Sequence, residues 1–199
     1  MASEKQRRVL EAANEMFFRY GYRRTTMGDI AKAAGMSRPA LYLVYPSKEE
    51  IFKAGVISFM EDALGEIEAG LGARDSMREK LEYAFDIWLI RPYEVIDRLP
   101  DAKDLLDNAH GAAGEEMLQA KARFEGLLTN ILEPLTGNAP ASGMTAAQVA
   151  HLMAFSVISF KENAKDVEEL RSLIDGLITM TMATLGVTEA IPADRAINA

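Results

Sequence analysis

Residues 25–51, TTMGDIAKAAGMSRPALYLVYPSKEEI, leave this chain few folds to adopt. Met27, Ile30, Ala31 and Ala34 fall at i, i+3, i+4 and i+7, which draws a single apolar stripe along a short helix. Thr26 stands just ahead of the stripe and Asp29 follows it by three residues. A hydroxyl N-cap with an acid in the first turn suits the exposed N–H groups and the positive end of a helix. Gly35 supplies the left-handed residue that a tight helix exit needs. Ser37 caps a second short helix at once, and Pro39 lies in its first turn, where a missing N–H costs nothing. Two short helices joined by a tight glycine turn form a helix-turn-helix, whose second helix enters the major groove of DNA.

The same residues resemble a known family. Thr25-Thr26, Ile30-Ala31, Ala34-Gly35-Met36-Ser37, Leu41-Tyr42 and Ser47-Lys48-Glu49 are similar to the N-terminal signature of TetR-type (tetracycline-repressor-like) transcriptional regulators. Ala12-Ala13, Phe17 and Tyr20-Gly21-Tyr22 fit that family's first helix and its exit, so the likeness covers residues 5–55. Two positions depart from it. Val44 stands where such proteins often carry histidine or another polar residue, and Tyr45 replaces the more usual phenylalanine.

Charge divides the chain at the same place. The whole carries −8, but residues 1–48 carry +5 and the remainder −13. A basic module joined to an acidic body is what a nucleic-acid binder with a second, differently employed domain requires. A length of 199 residues is enough for a real core, and 49% apolar content excludes a disordered chain. The absence of cysteine excludes disulfides and thiolate metal sites. No signal-peptide pattern opens the sequence and no apolar run has the length of a membrane span, so a cytoplasmic protein is expected.

Helical periodicity continues to the end. Val9, Leu10, Ala13, Phe17 and Tyr20 mark the first helix. Ser47-Lys48-Glu49-Glu50 is a capping box that opens a long helix through Ile51, Phe52, Val56, Phe59, Ala63 and Ile67 to Gly70. Ser76 to Ile90 predict a further helix that stops at Arg91-Pro92. Residues 92–113 predict short helices and turns, Glu115 to Leu135 a helix, and 138–144 a loop. Two last helices are predicted from Thr145 to Asn163 and from Asp166 to Leu185. The first is apolar nearly all round, a pattern of burial on more than one side. The expected fold is therefore all-α, with a three-helix helix-turn-helix head at 1–48 and a helical body at 49–199.

The resemblance assigns roles. It implies that Thr26 and Lys48 grip phosphates at helix N-termini, and that Tyr42 touches backbone or a thymine methyl. It places Ser37, Arg38 and Ala40 at base edges, with Arg38 the candidate for bidentate guanine recognition. It further implies a homodimer on a palindromic operator, joined through the last two helices, with Phe155, Leu170, Ile174, Leu177 and Ile178 as candidate interface residues. The body is then a ligand-binding and dimerisation domain that releases DNA when a small hydrophobic effector binds. Phe85, Trp88, Leu89, Tyr93, His110, Met117, Met153, Phe155 and Phe160 are the candidate pocket residues. The alternative is an acidic body that docks a protein partner. Catalysis is not expected: the two histidines, His110 and His151, lie on different predicted elements. Glu115-Glu116 and Glu168-Glu169 are helix neighbours that face different directions, and no cofactor motif or metal-ligand spacing is present.

Overall fold

The computed structural model describes residues 3–99, 102–136 and 143–187, and every regular element among them is helical. The elements are α1 (Glu4–Tyr20), α2 (Met27–Ala33), α3 (Arg38–Tyr42), α4 (Lys48–Gly70), α5 (Met77–Phe85), α6 (Arg91–Asp97), α7 (Ala102–Thr136), α8 (Ala146–Asn163) and α9 (Val167–Thr184). Most of the expected loop at 138–144 lies outside the described residues. Among those described, no helix is long and apolar enough to cross a membrane.

Local capping sets most of these boundaries. The side chains of Ser3, Thr26, Ser76 and Thr145 each accept the N3 amide, while the cap's own amide donates to the N3 side-chain oxygen. Asp166 caps α9 through the Glu169 amide. Two expectations need correction. The helix from Ser76 does not stop at Arg91-Pro92; a π turn at Asp86–Ile90 carries the chain straight into α6. A widened turn relieves the clash between a proline ring and the carbonyl one turn back, and it asks no donor of Pro92. Residues 102–112 are likewise more regular than expected, and the break in α7 is confined to Ala113, at φ −133° and ψ 26° between Gly111 and Gly114.

The chain forms two compact units, one of residues 1–67 and 91–123, the other of 68–90 and 124–199. In the first, Val9, Ala13 and Phe17 of α1 pack with Met27, Ile30 and Ala31 of α2, Leu41 of α3 and Ile51 and Phe52 of α4. Leu105 and Ala109 of α7 close the same cluster. Phe17, Tyr22 and Phe52 form an aromatic triangle with centroids 4.8–5.5 Å apart. Ion pairs fasten α4 to the 91–123 segment: Lys53 to Glu116 at 2.8 Å, Glu66 to Arg91 at 2.7 Å and Glu61 to Arg123 at 2.5 Å. Glu116 holds the Lys53 ammonium above its ordinary pKa and is itself lowered by the pairing.

In the second unit α5, α8 and α9 enclose Leu81, Phe85, Met153, Val157, Leu170, Ile174 and Ile178, together with Phe124, Leu128 and Leu132 of α7. Arg78 joins α5 to α9 with bonds to Asp175 at 2.9 Å and Thr179 at 2.8 Å.

At the end of α4, the Arg74 guanidinium lies 3.4 Å from the Tyr83 ring centroid and donates to the Gly70 carbonyl at 2.6 Å. A Cβ on Gly70 would overlap the Tyr83 hydroxyl and ring edge, and the ring is held against the Arg74 guanidinium. Gly70→Ala is expected to cost about 1–3 kcal/mol through this overlap. In a Tyr83→Ala background the same change should become stabilising, because alanine is the better helix former by about 1 kcal/mol. Thermal denaturation of the four proteins of the cycle measures the sign reversal. Loss of stability in both backgrounds would show that the tyrosine is not the cause.

Candidate nucleic-acid interface

Every turn of the helix-turn-helix is fixed by a local hydrogen bond. The Thr26 hydroxyl accepts the Asp29 amide at 3.2 Å and donates to the Asp29 carboxylate at 2.6 Å, while the Thr26 amide donates to the same carboxylate at 2.9 Å. These bonds hold the Asp29 carboxyl below its ordinary pKa. Gly35, at φ 64°, turns the chain so that its own amide reaches Lys32 and the Met36 amide reaches the Ala31 carbonyl, the paired bonds of a glycine helix exit. The Ser37 hydroxyl then accepts the Ala40 amide at 3.3 Å, and α3 begins.

The helix α3 has one buried face and one open one. Leu41 is fully buried, Tyr45 is buried just beyond the helix, and Val44 packs against the same cluster. The valine that departs from the family pattern thus serves the head's core. Ser37, Arg38, Pro39, Tyr42 and Leu43 are exposed on the other side, with Ala40 half-buried. Arg38 and Tyr42, one turn apart, are joined: the guanidinium donates to the phenol oxygen at 3.3 Å and lies 5.7 Å from the ring centroid. Pro39 and Leu43 make the parallel apolar pair.

Lys48, expected at a phosphate, has partners within the head. Its ammonium donates to the carbonyls of Tyr22 at 2.7 Å and Thr25 at 3.0 Å and lies 4.2 Å from the centre of the Tyr22 ring. It therefore clasps the α1–α2 junction to the start of α4. Thr25 completes the junction, its buried hydroxyl donating to the Gly21 carbonyl at 2.8 Å. Arg8 does a similar task at the other end of α2, donating to the Ala34 carbonyl at 3.0 Å.

The residues expected in the body are dispersed. Phe85, Leu89 and Met153 are buried in the second unit, and Trp88 and Phe160 are half-buried there. Trp88 stacks on Phe124 with centroids 4.7 Å apart and planes 8° from parallel. Tyr93, His110 and Met117 belong to the first unit: Met117 packs against the head cluster, and His110 is exposed on α7 with Nδ1 2.8 Å from the Leu106 carbonyl oxygen. Of the expected interface residues, Leu170, Ile174 and Ile178 turn inward and are filled by the chain's own core, so they offer no surface to a second copy. Phe155 is 59% exposed and Leu177 half-buried.

Sequence reasoning passed over Leu43, the most open large apolar residue described, at 90% exposure. Its signal was present: Leu41, Val44 and Tyr45 already fill the inward stripe, and Leu43 falls off it.

Residues 9–54 match the bacterial regulatory proteins of the tetR family. Over this segment the chain is similar to TetR-family regulators. It is 38% identical over 60 residues to the HTH-type transcriptional regulator TtgR of Pseudomonas putida, which covers 30% of this chain and 29% of that one. Over 67 residues it is 34% identical to AcrR of Shigella flexneri, covering 34% of this chain and 31% of the relative. The chain thus matches less than a third of the length of either regulator. Likeness of fold runs further. A transcriptional regulator from Cytophaga hutchinsonii superimposes with a TM-score of 0.71 at 16% identity, over 91% of this chain and 98% of its own. FadR of Thermus thermophilus, a TetR-family repressor solved with lauroyl-CoA, superimposes with a TM-score of 0.59 at 21% identity, over 94% of this chain and 99% of its own.

Lys48→Ala is expected to destabilise the head by about 1–3 kcal/mol, because two carbonyls lose a charged donor. Once corrected for the folded fraction, the slope of log K against log salt on duplex DNA should stay unchanged. A direct phosphate ligand would lower that slope by about 0.9 instead. Thermal melts and salt titrations of the same variant separate the two.

Proposed function

We propose that this protein is a homodimeric repressor of the TetR type that binds a palindromic operator and is released by a small hydrophobic effector. In this proposal residues 1–48 are the DNA-binding domain, and residues 49–199 carry effector binding and dimerisation. The carrying observation is the one-sided packing of α3: Leu41 anchors the helix while Ser37, Arg38, Pro39, Tyr42 and Leu43 are left open on a short, capped element. That is the presentation a recognition helix needs. Arg38, preset by Tyr42, suits a guanine edge, and Ser37 and Ala40 lie close enough to the cap to approach bases. Thr26 contributes through the exposed N-terminus of α2. The head acts where chromosomal DNA is found, in the cytoplasm.

Two heads on one duplex require a dimer. The helices α8 and α9 supply a face for it. Leu152, Phe155 and Ile158 are exposed on α8, and Leu173 and Met180 on α9, where Met180 is 70% open. Leu177 borders the same side. Two recognition helices joined this way would meet successive major grooves, roughly 34–36 Å apart. Phe155→Glu and Met180→Glu should each give a monomer with an unchanged helical circular-dichroism signal and at least tenfold weaker binding to a selected operator. Sedimentation and mobility-shift measurements read both effects. A wild-type chain that is already monomeric at micromolar concentration contradicts the proposal.

For the effector, Trp88 on Phe124 is the polar-handled ring pair in the body best suited to border an apolar pocket. The T. thermophilus FadR complex with lauroyl-CoA is an instance of a long apolar chain held by this fold. Only the difference in effector affinity between the two DNA-binding states moves the equilibrium, typically by about 1–3 kcal/mol. Trp88→Phe should keep fold and operator affinity and shift the effector dose response by several-fold in a DNA-release titration with saturated acyl chains. An unaltered dose response moves the pocket away from Trp88.

A further inference from the structure

Leu43 is 90% exposed at the end of the helix proposed above to enter the major groove. Leu43 is the C-cap residue of α3, and its amide donates to the Pro39 carbonyl at 3.3 Å. Its backbone is therefore held at the end of a closed turn, one turn along from Pro39. Its neighbours leave it no inward role, since Leu41, Val44 and Tyr45 occupy the core side of the turn. The open face of α3 thus carries two strips: a polar, aromatic one of Arg38 and Tyr42, already bonded to each other, and an apolar one of Pro39 and Leu43.

Leucine has no hydrogen-bonding atoms in its side chain, so it can serve neither a phosphate nor a base-edge donor or acceptor. In the major groove one group is apolar, the C5-methyl of thymine. We propose that Leu43, with the Pro39 ring beside it, reads a thymine methyl in each half-site. This inference rests on the DNA-binding role proposed above. Arg38 and Leu43 would then divide the work: the guanidinium recognises a hydrogen-bonding edge, and the leucine reports the presence of one methyl group.

The test begins with a randomised duplex pool, from which the full-length wild-type protein selects its sites. In a selected site each thymine is replaced singly by deoxyuridine, which removes the methyl group and leaves every hydrogen-bonding atom in place. Wild type should lose about three- to fivefold in Kd at one thymine per half-site, the scale of one buried carbon group. Leu43→Ala should bind thymine and uracil equally there, whereas Leu43→Met should retain most of the discrimination. Circular dichroism should be the same for all three, as the side chain is almost wholly outside the packed head. A Leu43→Ala protein that keeps the full uracil penalty at every position overturns the inference, as does a penalty abolished only by Tyr42→Ala. Wild type that binds sites with no methyl-sensitive thymine also overturns it. A wild-type chain that selects no DNA at all refutes the DNA-binding role itself, and that result is distinguishable from the others.

Discussion

A five-residue helix cannot hold itself together in water, and α3, Arg38–Tyr42, is that short. Its existence depends on the burial of Leu41 in the apolar cluster of the head, with Tyr45 closing the same side after the helix. Everything the head presents outward is positioned by what α3 buries inward. The cluster draws on α1, α2 and α4 and is completed by Leu105 and Ala109, residues distant in sequence from the helix-turn-helix. The outward face of α3 is therefore a product of the first compact unit as a whole.

Polar groups inside that unit work in the same direction. Lys48 and Arg8, two of the basic residues that make residues 1–48 positive, point their charged ends at backbone carbonyls of the head. A cation that satisfies carbonyls at a junction stiffens the frame carrying α2 and α3, a contribution distinct from touching phosphate. Net charge of the segment is consequently a poor count of DNA contacts, although it still sets the long-range field that draws a polyanion. Thr26 shows a related competition. Asp29 already takes its hydroxyl and its amide, so an approaching phosphate meets a capped helix with an acid at its start.

In the second unit the question is which side of each helix faces its own chain. Packing assigns Met153 and Val157 of α8, and Leu170, Ile174 and Ile178 of α9, to the internal core. Leu152, Phe155 and Ile158 of α8 and Leu173 and Met180 of α9 remain exposed. Arg78 fixes the inner arrangement through Asp175 and Thr179, and so limits the rotations of α9 that would exchange its two faces.

The sequence by itself determined the features that arise from contacts three or four residues apart. Thr26 with Asp29, Gly35, Ser37 with Pro39, and Thr145 with Gln148 each specify a helix end through a local bond, and such bonds are readable in one dimension. The all-helical class and the helix-turn-helix followed from them and from apolar periodicity. Tertiary structure alone decided direction and partnership. Periodicity marks a stripe on α9 but not whether Leu170 and Ile174 meet their own chain or another, because a leucine is equally apolar toward either. Lys48 finds its carbonyls 23 and 26 residues away, and no pattern in the chain announces so distant a pairing. The π turn ahead of Pro92 is of the same kind: the proline forbids one hydrogen bond, and the packing of Phe85, Ile87, Leu89 and Ile90 keeps the helix going around it.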